Sequence, residues 1–520
     1  MNHSANSKKA AINTIVLNIR LVITMLLGLI TTRIVLSALG EVNFGIYSLV
    51  AGVVGMLAFL QGAMTVASMR FLAYNLGTGS IEKQLRTFNT TLLLHYALGF
   101  ILVTIIEIGG AIMFQHYLNI PPENTKEAKI VFHFMVLTTF IAIISVPFDA
   151  VINAHENMTF LAIMDIIGSI LKLGAAITIA YIEINTLVLY GGIMFLIQLL
   201  LRIIKQLYTL RKYQECKVNF IRNTDRLLIK SILSFSSWNL LGSLSSMLVS
   251  QFRGVLLNMF FGVKLNSTQG IAQTVSNHTN TVSTSMSQAI RPQLIKSEGS
   301  GNRLKMLRLT NITTKYTVFL FASLAIPITI EISYLLNVWL TIVPDYTVIF
   351  CRLIILGLLI DKMSFEIGTA ISAVGNIKTM VLIESSTRIL SVFAAYLFFK
   401  FDYPPPILYV VFLFSNIIVF VERIFLGKKI IGLDIKNYFN NSLIPVTIPI
   451  IITILISIFI HISMNEGIIR FLVNFSFSLV ALSVTFRFIG LNDEEYKTIN
   501  NIFAFYVNKI KKGIHLKSNE

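Results

Sequence analysis

The side chains with the clearest chemical signature lie in residues 269–288, where amides and hydroxyls recur at helical spacing. They form two adjacent rows on one helix: Gln273, Asn277, Asn280, Thr284 and Ser287, and beside them Thr274, His278, Thr281, Ser285 and Gln288. Hydrocarbon offers such groups no hydrogen-bonding partner, so this helix is expected to face a water-filled cavity or a polar ligand. We predict ligand contacts at Gln273, Asn277, Asn280 and Thr284. The alternatives are a helix buried through Ser, Thr and Asn hydrogen bonds, and a soluble loop.

Three arginines in apolar segments form a second group, namely Arg20, Arg33 and Arg253. A charge near the centre of a membrane helix costs roughly 2.5–3.5 kcal/mol on the insertion scale, so each of them needs a reason. A guanidinium stays charged and binds phosphate with a planar fork of donors. We therefore predict that these arginines contact an anionic ligand. The alternative for Arg33 and Arg253, which lie near outer helix ends, is that they reach the membrane interface.

Carboxylates in the same segments are candidates for ion coupling, because a carboxylate at low dielectric can exchange a proton or hold Na⁺. The candidates are Asp165, Asp361 and Glu366. A structural role is the alternative for each. Lys362 with Glu366, and Glu384 with Arg388, are spaced i, i+4 and would neutralise one another as ion pairs.

Composition and motifs exclude several other classes. Only 13% of the 520 residues are charged and 55% are hydrophobic, whereas soluble domains carry about 25% charged residues. Cys216 and Cys351 cannot form a disulfide framework or a metal site. No HExxH, GxSxG, Walker A or CxxC motif occurs. The sequence therefore predicts no enzyme, no metal and no cofactor beyond a coupling Na⁺ or H⁺, and no nucleic-acid partner despite the net charge of +17.

Hydropathy predicts an all-α membrane protein with about fourteen transmembrane helices. The predicted spans are 11–39, 44–76, 88–117, 129–152, 160–182, 186–208, 227–262, 268–290, 311–336, 346–372, 378–399, 406–426, 443–461 and 467–489. With both termini in the cytoplasm, the inner loops, tails and adjoining helix turns hold 29 Lys and Arg residues against five in the outer loops. The positive-inside rule favours this orientation.

An internal repeat divides the chain. Residues 33–46 are echoed by 253–271, 70–80 by 291–301, and 152–165 by 371–384, at offsets close to 220. We predict helices 1–6 in a lobe of residues 1–208, a basic cytoplasmic linker at 209–226, and helices 7–12 in a second lobe at 227–427. Helices 13 and 14 (428–490) fall outside the repeat, and an amphipathic cytoplasmic tail (491–520) follows them. An even number of helices per repeat is typical of transporters that bind substrate between their halves.

Several of these features resemble a known family. Arg33 followed by Gly40 and Phe44-Gly45-Ile46-Tyr47, Arg70-Phe71, and the twelve-plus-two helix plan are similar to bacterial O-antigen and capsule repeat-unit flippases. Those proteins belong to the multidrug/oligosaccharidyl-lipid/polysaccharide (MOP) exporter superfamily, and the resemblance covers about residues 8–490. It implies a MATE-like fold of two pseudo-symmetric six-helix lobes with two extra C-terminal helices.

The resemblance also implies a function, a substrate and a location. The expected activity is movement of an undecaprenyl-diphosphate-linked oligosaccharide across the bacterial plasma membrane by alternating access. The three arginines would meet the diphosphate, and the polar helix at 269–288 would meet the sugars. Membrane lipids, a polysaccharide polymerase and chain-length machinery are the further expected partners. A multidrug antiporter or a lipid II flippase of the same fold remains an alternative, and a membrane glycosyltransferase or polymerase would require an acidic loop motif that is missing.

Overall fold

The computed structural model describes residues 2–55, 58–116, 122–182, 185–261, 264–340, 343–492 and 495–497. In the N-terminal half the helices are α1 (Asn2–Gly55), α2 (Ala58–Gly77), α3 (Ile81–His116), α4 (Thr125–Ala154), α5 (Met158–Ala180), α6 (Thr186–Lys212) and α7 (Phe220–Asn223). The C-terminal half holds α8 (Arg226–Phe261), α9 (Lys264–Gly299), α10 (Arg303–Ile330), α11 (Ile332–Trp339), α12 (Thr347–Val374), α13 (Lys378–Lys400), α14 (Ile407–Ile431), α15 (Ile435–Tyr438), α16 (Ile444–Ser463) and α17 (Ile468–Thr485). The regular elements over these residues are all helical, as predicted.

The predicted spans and the observed helices correspond, with three differences, the first being that the predicted span 44–76 is shared between the end of α1 and α2. Helix α1 runs through Gly40, whose φ of 71° interrupts the helical geometry between the first two predicted spans. The predicted span 311–336 is divided at Glu331 into α10 and α11. Eleven described helices are long and apolar enough to cross a membrane. Helices α9 and α12 carry the polar and charged side chains described below and fall outside that set.

The chain folds into two compact units. The N-terminal unit contains residues 15–244 and 292–303, and the C-terminal unit contains residues 1–14, 245–291 and 304–520. Of the predicted amphipathic tail (491–520), residues 493–494 and 498–520 lie outside the described residues.

Each unit has its own apolar core. In the N-terminal unit, side chains of α1, α3, α4, α5 and α6 meet around Val131, Phe132 and Tyr190. In the C-terminal unit, side chains of α8, α9 and α11–α14 meet around Phe350 and Tyr409. The two tyrosines are separated by 219 residues, close to the offset of the repeat. Each packs at a tilted angle against an aromatic ring, Tyr190 against Tyr47 (55°) and Tyr409 against Phe350 (54°). The repeat seen in the sequence therefore reproduces a packing pattern.

The two helices beyond the repeat, α16 and α17, pack on α10. Val318, Ala322 and Ile326 of α10 contact Val446 and Ile450 of α16 and Leu482 and Phe486 at the end of α17. A polar cluster adds to these contacts at the far end of α10. The fully buried carboxylate of Glu331 accepts hydrogen bonds from Arg470 Nε (3.0 Å) and Asn474 Nδ2 (2.8 Å) and pairs with His461 Nδ1 (2.9 Å).

The linker between the predicted lobes is packed against the N-terminal unit. Asn89 of α3 donates from Nδ2 to the Lys217 carbonyl and accepts from the Asn219 backbone N–H, both within 2.9 Å. Glu215 forms an ion pair with His155, and Cys216 is fully buried. The 209–226 segment is thus held in place by side chains of α3 and of the turn after α4.

Two glycines let the ends of α2 and α9 approach closely. A Cβ at Gly77 would overlap the carbonyl oxygen of Lys296, and a Cβ at Gly299 would overlap the carbonyl oxygen of Tyr74. Gly77 and Gly299 are repeat equivalents in the sequence, and each packs on the backbone of the helix that carries the other. Glu156 stabilises this crossing, because its Oε1 accepts a hydrogen bond from Lys296 Nζ at 2.9 Å.

This crossing predicts a position-specific effect of added methyl groups. Gly77→Ala is expected to destabilise the purified protein by about 1–3 kcal/mol, because backbone on both helices must move. Gly62→Ala is the matched control, since a Cβ there meets nothing within 4 Å and alanine favours the helix by about 0.5–1 kcal/mol. The measurement is the apparent thermal unfolding midpoint in detergent. Equal midpoints for the two variants would contradict the close packing.

Candidate functional site

Unsatisfied polar atoms are concentrated in the C-terminal unit. Among the described residues, eleven buried side-chain nitrogen or oxygen atoms have no hydrogen-bond partner, and eight of these lie in that unit. Buried polar atoms in natural proteins are usually satisfied, so each exception needs an explanation. The C-terminal unit is therefore the better candidate for a ligand or ion site.

Helix α9 presents its amides and uses its hydroxyls internally. Gln273 Nε2 donates to Asn277 Oδ1 at 2.9 Å, and Asn277 and His278 are exposed. The hydroxyls of Thr274, Thr281 and Thr284 donate to carbonyls of their own helix instead. The amide row is thus available to a ligand, whereas the threonines, including the predicted Thr284, are already satisfied. The side chain of Asn280 is also engaged locally, because its Oδ1 accepts from Ser283 Oγ at 3.4 Å.

Arg253 of α8 precedes Gly254, the residue that packs against Gln269 at the start of the polar segment of α9. Its guanidinium carbon is 3.9 Å from the centre of the Phe412 ring, a cation–π contact, and its Nε is buried without a hydrogen-bond partner. Gln269 Oε1 is also buried and unpartnered, and it would lie 3.3 Å from a Cβ at Gly254, the neighbour of Arg253. The structure therefore brings an unsatisfied donor of α8 and an unsatisfied acceptor of α9 to adjoining positions.

The two predicted arginines of α1 have different surroundings. Arg20 Nη1 is 2.8 Å from Asp165 Oδ2, with the two side chains 20% and 42% exposed. Arg33 is exposed. Asp165 therefore neutralises Arg20, so Arg33 and Arg253 are the stronger candidates for contact with an anion.

A buried charge network joins α12, α13 and α14. Arg423, 7% exposed, donates from Nε and Nη2 to both oxygens of Glu384 at 2.9 Å and from Nη1 to Asp361 Oδ1 at 2.8 Å. Arg388 lies 3.9 Å from both carboxylates. Two positive and two negative charges thus balance in a largely buried site. The predicted Glu384–Arg388 pair exists, but Arg423 is the closer partner.

Glu366 and Glu422 are the described carboxylates of the C-terminal unit that keep a buried oxygen without a hydrogen-bond partner, and Glu366 is the one among the predicted site residues. It is 1% exposed, and its Oε1 has no hydrogen-bond partner. Its carboxyl lies beside the hydroxyls of Ser287 and Thr369, with Lys362 and Arg291 as the nearby positive charges. Lys362 Nζ is 5.0 Å from the centre of the Phe365 ring rather than in a close ion pair with Glu366. The predicted Lys362–Glu366 ion pair is therefore not formed, and one carboxylate oxygen of Glu366 has no hydrogen-bond partner.

Sequence reasoning missed Arg423 and Arg291. Both lie near predicted helix ends, where a basic residue satisfies the positive-inside rule without further explanation. The signal that could have found Arg423 is the presence of two carboxylates, Asp361 and Glu384, in the neighbouring spans, because uncompensated charges at that depth require a cation. Among the described residues no group of three or more His, Cys, Asp or Glu side chains could hold a metal ion.

Comparison with known proteins identifies the fold. No family profile matches the sequence, and a search of curated proteins finds no match. Solved structures do match: an outward-facing multidrug resistance MATE family transporter of the MOP superfamily has a TM-score of 0.69 at 16% identity. A MOP superfamily transporter from Pyrococcus furiosus has a TM-score of 0.68 at 15% identity, and a MATE protein in the bent conformation has 0.70 at 14% identity. Each match covers 82% of this chain and 96% of the other chain. The chain therefore has the MATE-like fold.

The Arg423 network generates a prediction about stability. Arg423→Leu leaves Asp361 and Glu384 buried without their closest cation, so we expect a loss of about 3–5 kcal/mol. Arg388→Leu, which removes only the 3.9 Å contacts, is the control and should cost much less. Apparent unfolding midpoints of the purified variants would test this, and equal losses would show that Arg423 does not hold the network together.

Proposed function

We propose that this chain is a membrane transporter that moves an undecaprenyl-diphosphate-linked oligosaccharide from the cytoplasmic to the outer face of a bacterial plasma membrane by alternating access. The observation that carries the proposal is the arrangement in the C-terminal unit. The C-terminal unit holds both a partly exposed amide row on α9 and, on α8, a buried guanidinium nitrogen without a partner, Arg253 Nε. The two helices pack together where Gln269 of α9 meets Gly254, the neighbour of Arg253. Amides match the hydroxyls of sugars, and a guanidinium matches a diphosphate.

The fold supports transport as the general activity. The matched structures are described as MATE and MOP superfamily transporters, and the repeat-equivalent cores of this chain follow the plan of such proteins. A fold does not determine its substrate, so the substrate must be argued from side chains. The Pyrococcus furiosus transporter, which is described as having a binding pocket of reverse polarity that suggests a different function, makes the same point.

A multidrug antiporter is the second candidate, because one matched structure is a multidrug resistance transporter. Cationic drugs need unpaired carboxylates or aromatic surfaces in the site. Here Asp165 is paired with Arg20, and Asp361 and Glu384 are paired with Arg423. The aromatic ring of Phe412 is covered by Arg253. These pairings favour an anionic, sugar-bearing substrate over an organic cation, and Glu366, a carboxylate without a close ion pair, is assigned below to ion coupling.

Glu366 is the proposed coupling site for H⁺ or Na⁺. Of the three predicted carboxylates it alone, among the described residues, has a buried oxygen without a partner. Asp165 and Asp361 each have an arginine within 2.8 Å and are assigned structural roles. The orientation with both termini in the cytoplasm, and cooperation with a polymerase and chain-length machinery, belong to the same proposal.

Removal of the two arginines tests the substrate. In cells that lack the native gene, Arg33→Ala and Arg253→Ala are expected to lower transport roughly 10- to 100-fold each, as for loss of a charged hydrogen bond. The measurement is lipid-linked sugar accumulated on the inner leaflet. Arg86→Ala, which removes a surface pair with Glu82, is the control and should complement fully. Full activity of both the Arg33→Ala and Arg253→Ala variants, or drug resistance on overexpression, would favour the multidrug antiporter instead.

Neutralising Glu366 tests the coupling ion. Glu366→Gln should preserve folding, since no close ion pair is lost, but it should abolish the stimulation of transport by an imposed pH or Na⁺ gradient in proteoliposomes. Glu384→Gln serves as a comparison and should instead lower stability through Arg423. If transport by Glu366→Gln responds to the gradient as in the unaltered protein, Glu366 is not the coupling site.

A further inference from the structure

The C-terminal unit contains a polar cavity that the transport proposal does not use. It encloses about 870 Å³ and lies between the first turns of α10, the segment from Gly432 to Pro445, and the end of α17. Five asparagines line it: Asn311, Asn437, Asn440, Asn441 and Asn492. A volume of this size accommodates a ligand of several rings or a lipid headgroup.

Two π-helical segments border the cavity. Phe439–Leu443 contributes Asn440 and Asn441, and Phe486–Gly490 contributes Ile489 and Gly490. π-helical turns are rare and occur frequently at functional sites, because the wider turn displaces side chains from the regular helical positions. Both irregular turns of the last two membrane helices therefore serve to shape the same cavity.

The charges in the cavity balance. Lys315 Nζ pairs with Glu495 Oε2 at 2.5 Å and donates to the Gly490 carbonyl. Asp434 caps α15 by accepting from the Asn437 backbone N–H. With Arg308, the lining has two basic and two acidic side chains. A phosphate or another strongly charged ligand would require an excess of one sign, so the cavity fits an uncharged polar group.

Carboxamides give the cavity both donors and acceptors. Asn441 Nδ2 donates to Asn437 Oδ1, whereas Asn311 Oδ1 is buried and has no hydrogen-bond partner. Apolar side chains including Leu307, Ile312 and Pro445 form the rest of the lining. Alternating amide and apolar surfaces are complementary to a sugar ring, which presents hydroxyls at its edge and C–H groups on its faces.

The rim of the cavity is apolar and exposed. Leu304, a lining residue at the start of α10, is 82% exposed, and Phe488, which precedes the lining residue Ile489 in the second π-helical segment, is 79% exposed. Lys428, Lys429 and Lys436 in and after the last turn of α14 assign this end of the unit to the cytoplasmic side by the positive-inside rule. An alkyl chain leaving the cavity would thus run over apolar side chains at the membrane boundary.

We propose that this cavity binds the glycosyl headgroup of a membrane amphiphile at the cytoplasmic surface. The site is separate from α9 and Arg253. Binding at this cavity does not require the proposed transport function. Failure of the transport experiments would therefore leave the binding proposal unchanged.

Photolabelling of the full-length protein in phosphatidylcholine nanodiscs tests the site. The probe is a dodecyl glucoside with a diazirine in the alkyl chain, and dodecylphosphocholine with the same diazirine is the comparison. The glucoside is expected to label peptides from residues 303–315 and 432–445, with excess unlabelled dodecyl glucoside as competitor. Asn311→Leu and Asn440→Leu should each weaken this labelling roughly two- to tenfold, as for loss of one neutral hydrogen bond. Asn440 is exposed, so the second variant guards against a folding defect in the first.

The control variant is Asn376→Leu, an exposed asparagine in the turn between α12 and α13, which should label like the unaltered protein. Equal or stronger labelling of the cavity by the phosphocholine probe would overturn the glycosyl assignment in favour of a phospholipid headgroup. Labelling that appears only after removal of residues 498–520 would show that the tail of the chain fills the cavity. Absence of label from both peptides would also overturn the proposal.

Discussion

The C-terminal unit depends on the ion pairs that Arg423 forms with Asp361 and Glu384. Each of these groups alone would carry a large desolvation penalty in a membrane helix, and only their close, bidentate geometry makes burial tolerable. The network joins three helices, α12, α13 and α14. The same requirement explains Glu331, whose buried carboxylate is satisfied by His461, Arg470 and Asn474 and fixes the two extra helices to α10. In the described part of this unit four charged side chains, Arg253, Arg291, Glu366 and Glu422, keep a buried atom without a hydrogen-bond partner, and two of them, Arg253 and Glu366, are predicted site residues.

The repeat adds a second constraint. Asp165 and Glu384 occupy equivalent positions on α5 and α13, and each binds an arginine, but the arginine comes from α1 in one unit and from α14 in the other. The pair in the N-terminal unit is partly exposed, whereas the pair in the C-terminal unit is buried. Both carboxylates thus have a guanidinium partner, but the partner comes from a different helix in each unit. The more deeply buried ionic cluster and the polar row of α9 lie in the same unit.

Sequence patterns predicted the features that arise from local composition. The helices, the polar face of α9 and the repeat could be found because hydropathy and spacing act within a segment. Partners distant in the chain could not be found in this way. Arg20 was predicted to contact a ligand, and no local pattern indicated that Asp165, 145 residues away, pairs with it. Lys362 and Glu366 were expected to pair at i, i+4, but the structure directs Lys362 toward Phe365. The cavity of five asparagines had no sequence signal, because its walls come from α10, α15 and the end of α17. The ligand and coupling roles of the site residues, the domain boundaries, the tail and the orientation stay predictions.

We propose that an anionic, sugar-bearing lipid crosses the membrane through this protein, and direct reconstitution tests this proposal. Purified protein would be placed in proteoliposomes loaded in the inner leaflet with an undecaprenyl-diphosphate oligosaccharide, and appearance of the glycan outside would be followed with a membrane-impermeant lectin. The account predicts protein-dependent exposure of the glycan that Arg253→Ala reduces while the protein remains folded. Exposure no faster than in protein-free vesicles, with an ion gradient of either H⁺ or Na⁺ imposed, would contradict it.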